Sequence, residues 1–363
     1  MWSLRRNKAL PFTHISFIYY LCPTMYKLIR PLLFLINPES AHHLIFKCLA
    51  IARYIPFSGC IMRLFCCYNK PSLEREVFGL KFPNPVGLAA GLDKNATSYN
   101  SLANLGFGFV EIGSVTPKPQ EGNPKPRCFR LVKDKAILNH MGINNEGVKQ
   151  VVRNLKQDRP RILIGGNISK NATTPNDQAH LDYEKAFAHL YDYVDYFVIN
   201  VSCPNVKGLQ SLQAIDSLSV IVRKLVEIRR YCDIYRPILL KISPDLSIEM
   251  LNQVVELVQI SGLDGIIACN TTTSREGLLT PVEKVKSMGD GGISGAPLKE
   301  KTLATIRAIR EKTEGNLPII GVGGIMCPQD AKDMLDAGAS LVQIYTGFIY
   351  EGPTFVRQIL KKL

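Results

Sequence analysis

The side chains in this sequence that could do chemistry are mostly amides, lysines and one thiol. Asn139, Asn167, Asn200, Asn205 and Asn270 follow or end short apolar runs. One asparagine in a loop is usually a turn residue, but five so placed offer paired donors and acceptors that suit a flat, imide-like ring better than a sugar phosphate. Lys94 and Lys241 occupy similar positions. Lys241 alone could suggest a Schiff-base lyase, yet its neutral amide neighbours argue otherwise. Cys203, in Asn200-Val-Ser-Cys-Pro-Asn205, could serve as a base or nucleophile; a buried inert thiol is the commoner fate of the residue type. The six histidines form no cluster, and the ten cysteines include no CxxC pair. Neither a structural metal nor a Ser-His-Asp triad is expected, and free thiols in a reducing compartment are.

These residues need elements to hold them. After Pro71, apolar or β-branched runs alternate with helical segments. The runs are Asn84–Leu88, Phe109–Ile112, Ile162–Gly166, Tyr196–Val201, Ile238–Ile242, Gly265–Ala268, Ile319–Val322 and Leu341–Tyr345. Eight strand–helix units over about 280 residues predict an α/β fold, a (β/α)8 TIM barrel. Active-site groups on such a barrel sit where strands end. That rule selects Lys94, Ser114, Asn167, Asn200 to Asn205, Lys241, Asn270 and Thr271. Gly321-Val-Gly-Gly324 and Tyr345-Thr-Gly347 follow strands seven and eight, the usual place for a phosphate held by bare backbone amides. That phosphate could belong to a substrate or to a cofactor such as FMN. Two long loops, 113–145 and 270–300, are expected to cover the barrel mouth.

The chain has 363 residues, 46% of them hydrophobic and 21% charged, so it can bury a large core. Its net charge is +13. Residues 1–70 hold nine Lys/Arg against Glu39 alone, so the excess sits in an apolar leader. Membrane phospholipid fits this better than nucleic acid, whose binders carry their basic face on the folded domain. Ala9–Tyr26 is uncharged but interrupted by Pro11 and Pro23. Met1–Thr24 reads equally as a doubtful span, a targeting peptide, or text upstream of a true start at Met25. Residues 25–70 predict a basic, amphipathic helical pair at a membrane surface, Tyr26–Leu35 and Ala41–Tyr54. Residues 71–363 form the barrel domain.

Several strings together carry a family resemblance. They are Asn84-Pro-Val-Gly-Leu-Ala-Ala-Gly-Leu-Asp-Lys-Asn95, Gly113-Ser-Val-Thr-Pro117, Pro126-Arg-Cys-Phe-Arg-Leu131, Asn139-His-Met-Gly142, Asn200-Val-Ser-Cys-Pro-Asn205, Leu240-Lys-Ile-Ser-Pro-Asp245, Asn270-Thr-Thr272, Gly292-Ile-Ser-Gly295 and Ile320-Gly-Val-Gly-Gly324. In order and spacing they resemble the dihydroorotate dehydrogenases. The leader, with Pro38-Glu-Ser-Ala-His42, is similar to that of the class 2, membrane-associated, quinone-reducing branch. The resemblance implies an FMN enzyme of pyrimidine biosynthesis. FMN would be bound by Ala90, Lys94, Ser114, Asn139, Asn167, Asn200, Lys241, Cys269, Gly295, Gly324, Tyr345 and Thr346. Dihydroorotate would meet Lys94, Asn139, His140, Met141, Gly142, Ile143, Asn200, Asn205, Asn270 and Thr271. Cys203 would be the catalytic base at C5, with hydride leaving C6. His42, Arg130 and Tyr345 would line a quinone slot. Location would be peripheral, on the cytoplasmic side of a cell inner membrane or on a mitochondrial inner membrane.

Three positions depart from the class 2 pattern. Cys203 stands where that branch generally has Ser, which is the class 1 choice. His140 and Ile143 stand where the family has Arg and Phe, so an aromatic lid residue is missing. Readings left open are the same oxidation with a soluble acceptor such as fumarate or NAD, a phosphate-binding lyase using Lys241, and a non-catalytic membrane scaffold. Every proposed base and substrate ligand lies beyond position 90. The barrel alone is therefore expected to carry the dihydroorotate half of the reaction.

Overall fold

The computed structural model describes residues 25–205, 209, 212 and 214–363. The uncharged segment Ala9–Tyr26 and the leader Met1–Thr24 therefore fall outside the described residues, apart from Met25 and Tyr26.

Eight parallel strands close into a barrel. In chain order they are β3 (Val86–Leu88), β4 (Phe109–Val115), β7 (Leu163–Ile168), β8 (Tyr196–Asn200), β9 (Ile238–Ile242), β10 (Gly265–Ala268), β12 (Ile319–Val322) and β13 (Leu341–Ile344). The last strand pairs with the first, Val342 opposite Val86 and Ile344 opposite Leu88. These strands read as near-continuous apolar runs because both faces are covered: helices outside, packed side chains within. The outer layer comprises α4 (Tyr99–Ala103), α5 (Val148–Gln157), α6 (Ala179–Leu190), α7 (Ile215–Arg230), α8 (Ile248–Ser261), α10 (Lys299–Lys312), α11 (Pro328–Asp336) and α13 (Phe355–Lys362). The interior holds Phe109, Tyr196, Val198, Leu239, Ile267, Ile320 and Leu341. Two of these rings need a missing side chain opposite. A Cβ on Gly87 would lie 2.3 Å from the Phe109 ring, and one on Gly165 2.2 Å from that of Tyr196.

The barrel floor is plugged by a hairpin of β1 (Arg75–Val77) and β2 (Leu80–Phe82). Its Val77 and Phe82 join the interior cluster, and the Phe82 and Phe109 rings meet edge to face at 5.1 Å.

The two long loops do cover the mouth, and they do so as one sheet. β5 (Cys128–Leu131) and β6 (Ala136–Asn139) come from the first loop and β11 (Gly292–Gly295) from the second. They form an antiparallel sheet with β6 in the centre. Leu131, Ala136, Leu138 and Ile293 pack beneath it with Val285 of α9 (Val282–Ser287). Sequence periodicity predicts neither this sheet nor the floor hairpin, because each strand is only three or four residues long.

The N-terminal segment contains three helices where two are expected: α1 (25–35), α2 (Pro38–Ala52) and α3 (Ser58–Cys66). Asn37 caps α2, its side chain accepting from the Glu39 amide at 2.9 Å, with Pro38 in the first turn. α1 is tied to α12 (Thr346–Glu351) by the Tyr26 hydroxyl, which donates to the Ile349 carbonyl, and by Arg30, which donates to the Tyr350 carbonyl at 2.8 Å. Arg357 of α13 donates to the Leu64 and Phe65 carbonyls, both at 3.0 Å, and so holds α3. Leu28, Leu32 and Leu35 of α1, Leu44 and Ile51 of α2, and Ile61 and Leu64 of α3 are exposed. No helix among the described residues is long and apolar enough to cross a membrane.

Candidate active site

The mouth of the barrel is organised by a buried carboxylate that the sequence reading does not single out. Glu111, third in β4, points inward with no exposed surface. Its Oε1 accepts from Asn167 Nδ2 at 2.8 Å and lies 3.6 Å from Lys241 Nζ, while its Oε2 accepts from Gln343 Nε2 at 2.6 Å. Strands β4, β7, β9 and β13 each supply one member. A buried carboxylate needs such pairing to remain charged.

From this base a line of polar side chains runs across the strand ends. The Ser114 hydroxyl donates to Asn167 Oδ1 and accepts from Asn200 Nδ2 at 2.7 Å. Asn200 Oδ1 in turn accepts from Asn270 Nδ2 at 3.3 Å, and Asn270 also donates to Ser202 Oγ at 3.0 Å. The Thr271 amide donates to Asn270 Oδ1 at 2.9 Å. On the lid side Asn205 Nδ2 donates to Asn139 Oδ1 at 2.8 Å. All five asparagines are thus gathered at the barrel mouth or on the lid edge facing it. Two polar atoms here, Asn205 Oδ1 and Thr271 Oγ1, are buried without a protein partner. Such groups are costly unless a ligand completes them.

Lys94 follows β3, and its ammonium donates to Asn144 Oδ1 at 2.5 Å. Burial first, then the neighbouring Arg127 guanidinium, bring its pKa down to about 8. Cys203 is partly exposed. Burial in its loop pushes the thiol above its ordinary value, against the pull of the Asn205 amide, Lys94 and Lys241. Cys269, at the end of β10, is fully buried and pushed by burial up to about 12, so it is a neutral packing thiol.

Ala90 and Gly91 leave β3 toward β4 and β13, with the Gly91 amide donating to the Gly113 carbonyl at 2.8 Å. A Cβ on Gly91 would stand 3.5 Å from the Tyr345 ring. Beside it, past Tyr345, three loops converge. Thr346 opens α12, and its hydroxyl donates to Ser294 Oγ of β11 at 2.8 Å. A Cβ on Gly295 would sit 2.9 Å from Thr346 Cγ2, and one on Gly324 2.3 Å from the Lys299 backbone. Close backbone approach of this kind, beside first-turn amides that lack intrahelical acceptors, is the anion-holding arrangement expected from the glycines.

The 140–143 turn makes its hydrogen bonds within the first long loop. His140 Nε2 donates to the Pro126 carbonyl at 3.2 Å, and its ring lies 5.9 Å from that of Phe129. The Met141 carbonyl accepts from the Asn123 amide at 3.1 Å, and the Gly142 and Ile143 carbonyls accept from Gln120 Nε2 at 3.1 and 3.0 Å. Ile143 is buried in the main core with φ +56, a strained setting for a β-branched residue.

His42 on α2 is kept below its ordinary pKa by burial. Its Nε2–H donates to the Leu92 carbonyl at 2.7 Å, and its ring stacks on Phe46 at 4.2 Å. Arg130 on β5 lies 4.6 Å over the Phe34 ring and donates to the Ile36 carbonyl at 2.7 Å. Phe34 and Tyr345 pack on one cluster with Ile137, Met326 and Tyr350. Arg130 and Tyr345 thus meet around Phe34 of α1, while His42 joins α2 to the loop that follows β3. Among the described residues no group of three metal-ligating side chains occurs.

Comparison with known proteins agrees with this geometry. Residues 72–363 match the family model described as dihydroorotate dehydrogenase. A protein of Christiangramia forsetii named dihydroorotate dehydrogenase (quinone) is 51% identical over 340 residues, covering 93% of this chain and 98% of its own. One of Thermosynechococcus vestitus with the same name is 48% identical over 300 residues, covering 81% and 82%. The crystal structure of the Eimeria tenella enzyme in complex with ferulenol superposes with a TM-score of 0.83 at 36% identity, covering 92% of this chain and 93% of that one. With most of its barrel matched by the family model and close relatives aligned along nearly its whole length, this chain belongs to the dihydroorotate dehydrogenase family.

Proposed function

We propose that the chain oxidises dihydroorotate to orotate, with FMN as its cofactor and a quinone as the final acceptor. The observation that carries this reading is the asparagine array with Thr271 beside it, in which Asn205 Oδ1 and Thr271 Oγ1 are buried without a protein partner and suit the edges of a flat polar ring. The donor set fits FMN as well. Lys241, Asn167, Ser114 and the Ala90 backbone offer a cation and neutral hydrogen-bonding groups for its ring system, and Gly295, Gly324, Tyr345 and Thr346 offer backbone for its phosphate. Bound there, FMN would accept the hydride and pass electrons on.

The side chains divide the remaining work. Lys94 answers the substrate carboxylate. Asn139, Asn200, Asn205, Asn270 and Thr271 hold the ring edges and orient C5 toward Cys203. The Cys203 Sγ takes the C5 proton. Because burial raises this thiol, little of it is thiolate at neutral pH. The lyase reading loses ground because Lys241 Nζ is buried and engaged 3.6 Å from Glu111 Oε1 at the base of the mouth.

Quinone entry between α1, α2 and the lid, past His42, Arg130 and Tyr345, is our reading of those contacts. The exposed apolar side chains of α1 to α3, on a segment rich in Lys and Arg, support peripheral attachment to an anionic membrane surface. We place that attachment on the cytoplasmic face of an inner membrane. Dihydroorotate oxidation measured side by side with a long-tailed quinone, fumarate and NAD tests the acceptor. Turnover with quinone alone is the expected result, and faster turnover with fumarate or NAD would overturn it.

A further inference from the structure

Glu39, in the first turn of α2, forms a buried ion pair with Arg127 across 88 positions of sequence, with side chains only 12% and 6% exposed. Arg127 Nη2 donates to Glu39 Oε1 at 2.7 Å, and its Nε donates to the same carboxylate at 3.2 Å. The same guanidinium turns its Nη1 the other way, donating to the carbonyls of Glu121 at 2.6 Å and Asn123 at 2.8 Å. Asn123 then reaches onward. Its Nδ2 donates to the His140 carbonyl at 2.8 Å and to the Asn205 carbonyl at 3.0 Å. Asn205 is two residues from Cys203, and its own amide side chain donates to Asn139. An unbroken hydrogen-bonded line thus runs from an N-terminal helix, through the first long loop, into the loop that carries the thiol.

We propose that Glu39, Arg127 and Asn123 are positioning residues for dihydroorotate oxidation, coupling the seating of α2 to the placement of the Cys203 loop and of Lys94. The N-terminal helices then serve both half-reactions, and the clean division suggested by the sequence, with every substrate-side residue beyond position 90, does not hold. A line of fixed, mutually satisfied groups can set a reacting atom's position to fractions of an ångström, and small misplacement is expensive in rate.

The electrostatics add a second consequence. Lys94 is faced by Arg127 and Cys128 from the lid, Glu39 and His42 from α2, Cys203 from the β8 loop, and Asn144. Arg127 lowers its pKa and Glu39 raises it. Pairing Glu39 with Arg127 therefore keeps Lys94 protonated to higher pH than Arg127 alone would allow.

The test uses the full-length, FMN-loaded enzyme and two substitutions, Asn123→Ala and Glu39→Gln. The readouts are the rate at which dihydroorotate bleaches the flavin without any quinone, and the pH dependence of KM. Asn123→Ala should slow bleaching at saturating dihydroorotate on the order of tenfold with the flavin retained. Glu39→Gln should move the rise in KM to lower pH, because Lys94 would lose its proton earlier; a purely structural role would leave that profile in place. Should Asn123→Ala fail to fold, the Glu39→Gln profile decides. Parental bleaching rates in Asn123→Ala, or an unmoved KM profile in Glu39→Gln, would overturn the proposal. It rests on the dihydroorotate reading, and a parent enzyme whose flavin dihydroorotate cannot bleach would sink that reading first.

Discussion

Cys203 and Lys94 sit within one electrostatic neighbourhood and are displaced in opposite directions, the thiol upward and the ammonium downward. The useful protonation states of base and substrate clamp therefore overlap poorly. Raising pH increases the thiolate fraction, so kcat should climb with pH as long as Cys203 is the base. Above about 8 the same rise discharges Lys94, so KM for dihydroorotate should increase there. Initial rates across pH 6 to 10 separate the two. Cys203→Ala should retain flavin and bind orotate, yet lose roughly 100- to 10,000-fold in turnover, the usual worth of a general base; a parental rate would make Cys203 a packing residue. Lys94→Ala should flatten the KM profile. The asparagines were legible in the sequence because their type is unusual at strand ends. Glu111 was not: one acid in Phe109–Ile112 reads as a residue facing water, and only barrel closure reveals that Lys241, Asn167 and Gln343 surround it.

At the scale of elements, that closure makes Glu111 a joint between four strands. Glu111→Leu would strand the Lys241 cation in a dry interior and should destabilise the protein by about 3–5 kcal/mol. Glu111→Gln keeps hydrogen-bonding capacity and should cost less, and urea unfolding midpoints would rank the two. The eight barrel strands could be read to within a few residues because burial on both faces leaves unbroken apolar runs; Ile238–Ile242 and Gly265–Ala268 are found as expected. The lid sheet escaped for the opposite reason. β5, β6 and β11 are four residues each, and β11 meets its partner across more than 150 positions, a relation that no local pattern contains. A separation of 88 positions hid the clamp between Glu39 and Arg127 in the same way, although both residues lie inside motifs given above.

On the whole molecule, the proposed chemistry and the proposed membrane contact fall on different faces joined by α2. Leu32 and Ile61 are 65% and 55% exposed and belong to the outer surface of the helical segment. Replacing both by Glu should weaken adsorption to anionic vesicles, on the order of tenfold for two charges set against an apolar contact. Turnover with a long-tailed quinone should fall with it, while bleaching of the flavin by dihydroorotate should not change. Equal vesicle binding by parent and variant in a sedimentation assay would move the contact surface elsewhere.

The closing pair of the barrel, β13 against β3, also has a bearing on biogenesis. A ribosome emits the N-terminal helices, the floor hairpin and β3 long before residues 319–346, which carry two barrel strands and most of the proposed phosphate-holding turns. Until those residues emerge, β3 has no neighbour on one edge, and non-local pairing of this kind is slow and prone to misassociation. Cofactor loading should therefore wait for these last strands. In cells starved of riboflavin, full-length chains lacking flavin should accumulate with the barrel mouth as their least protected region, and limited proteolysis should cut them first in the loops between β4 and β5 and between β10 and β11.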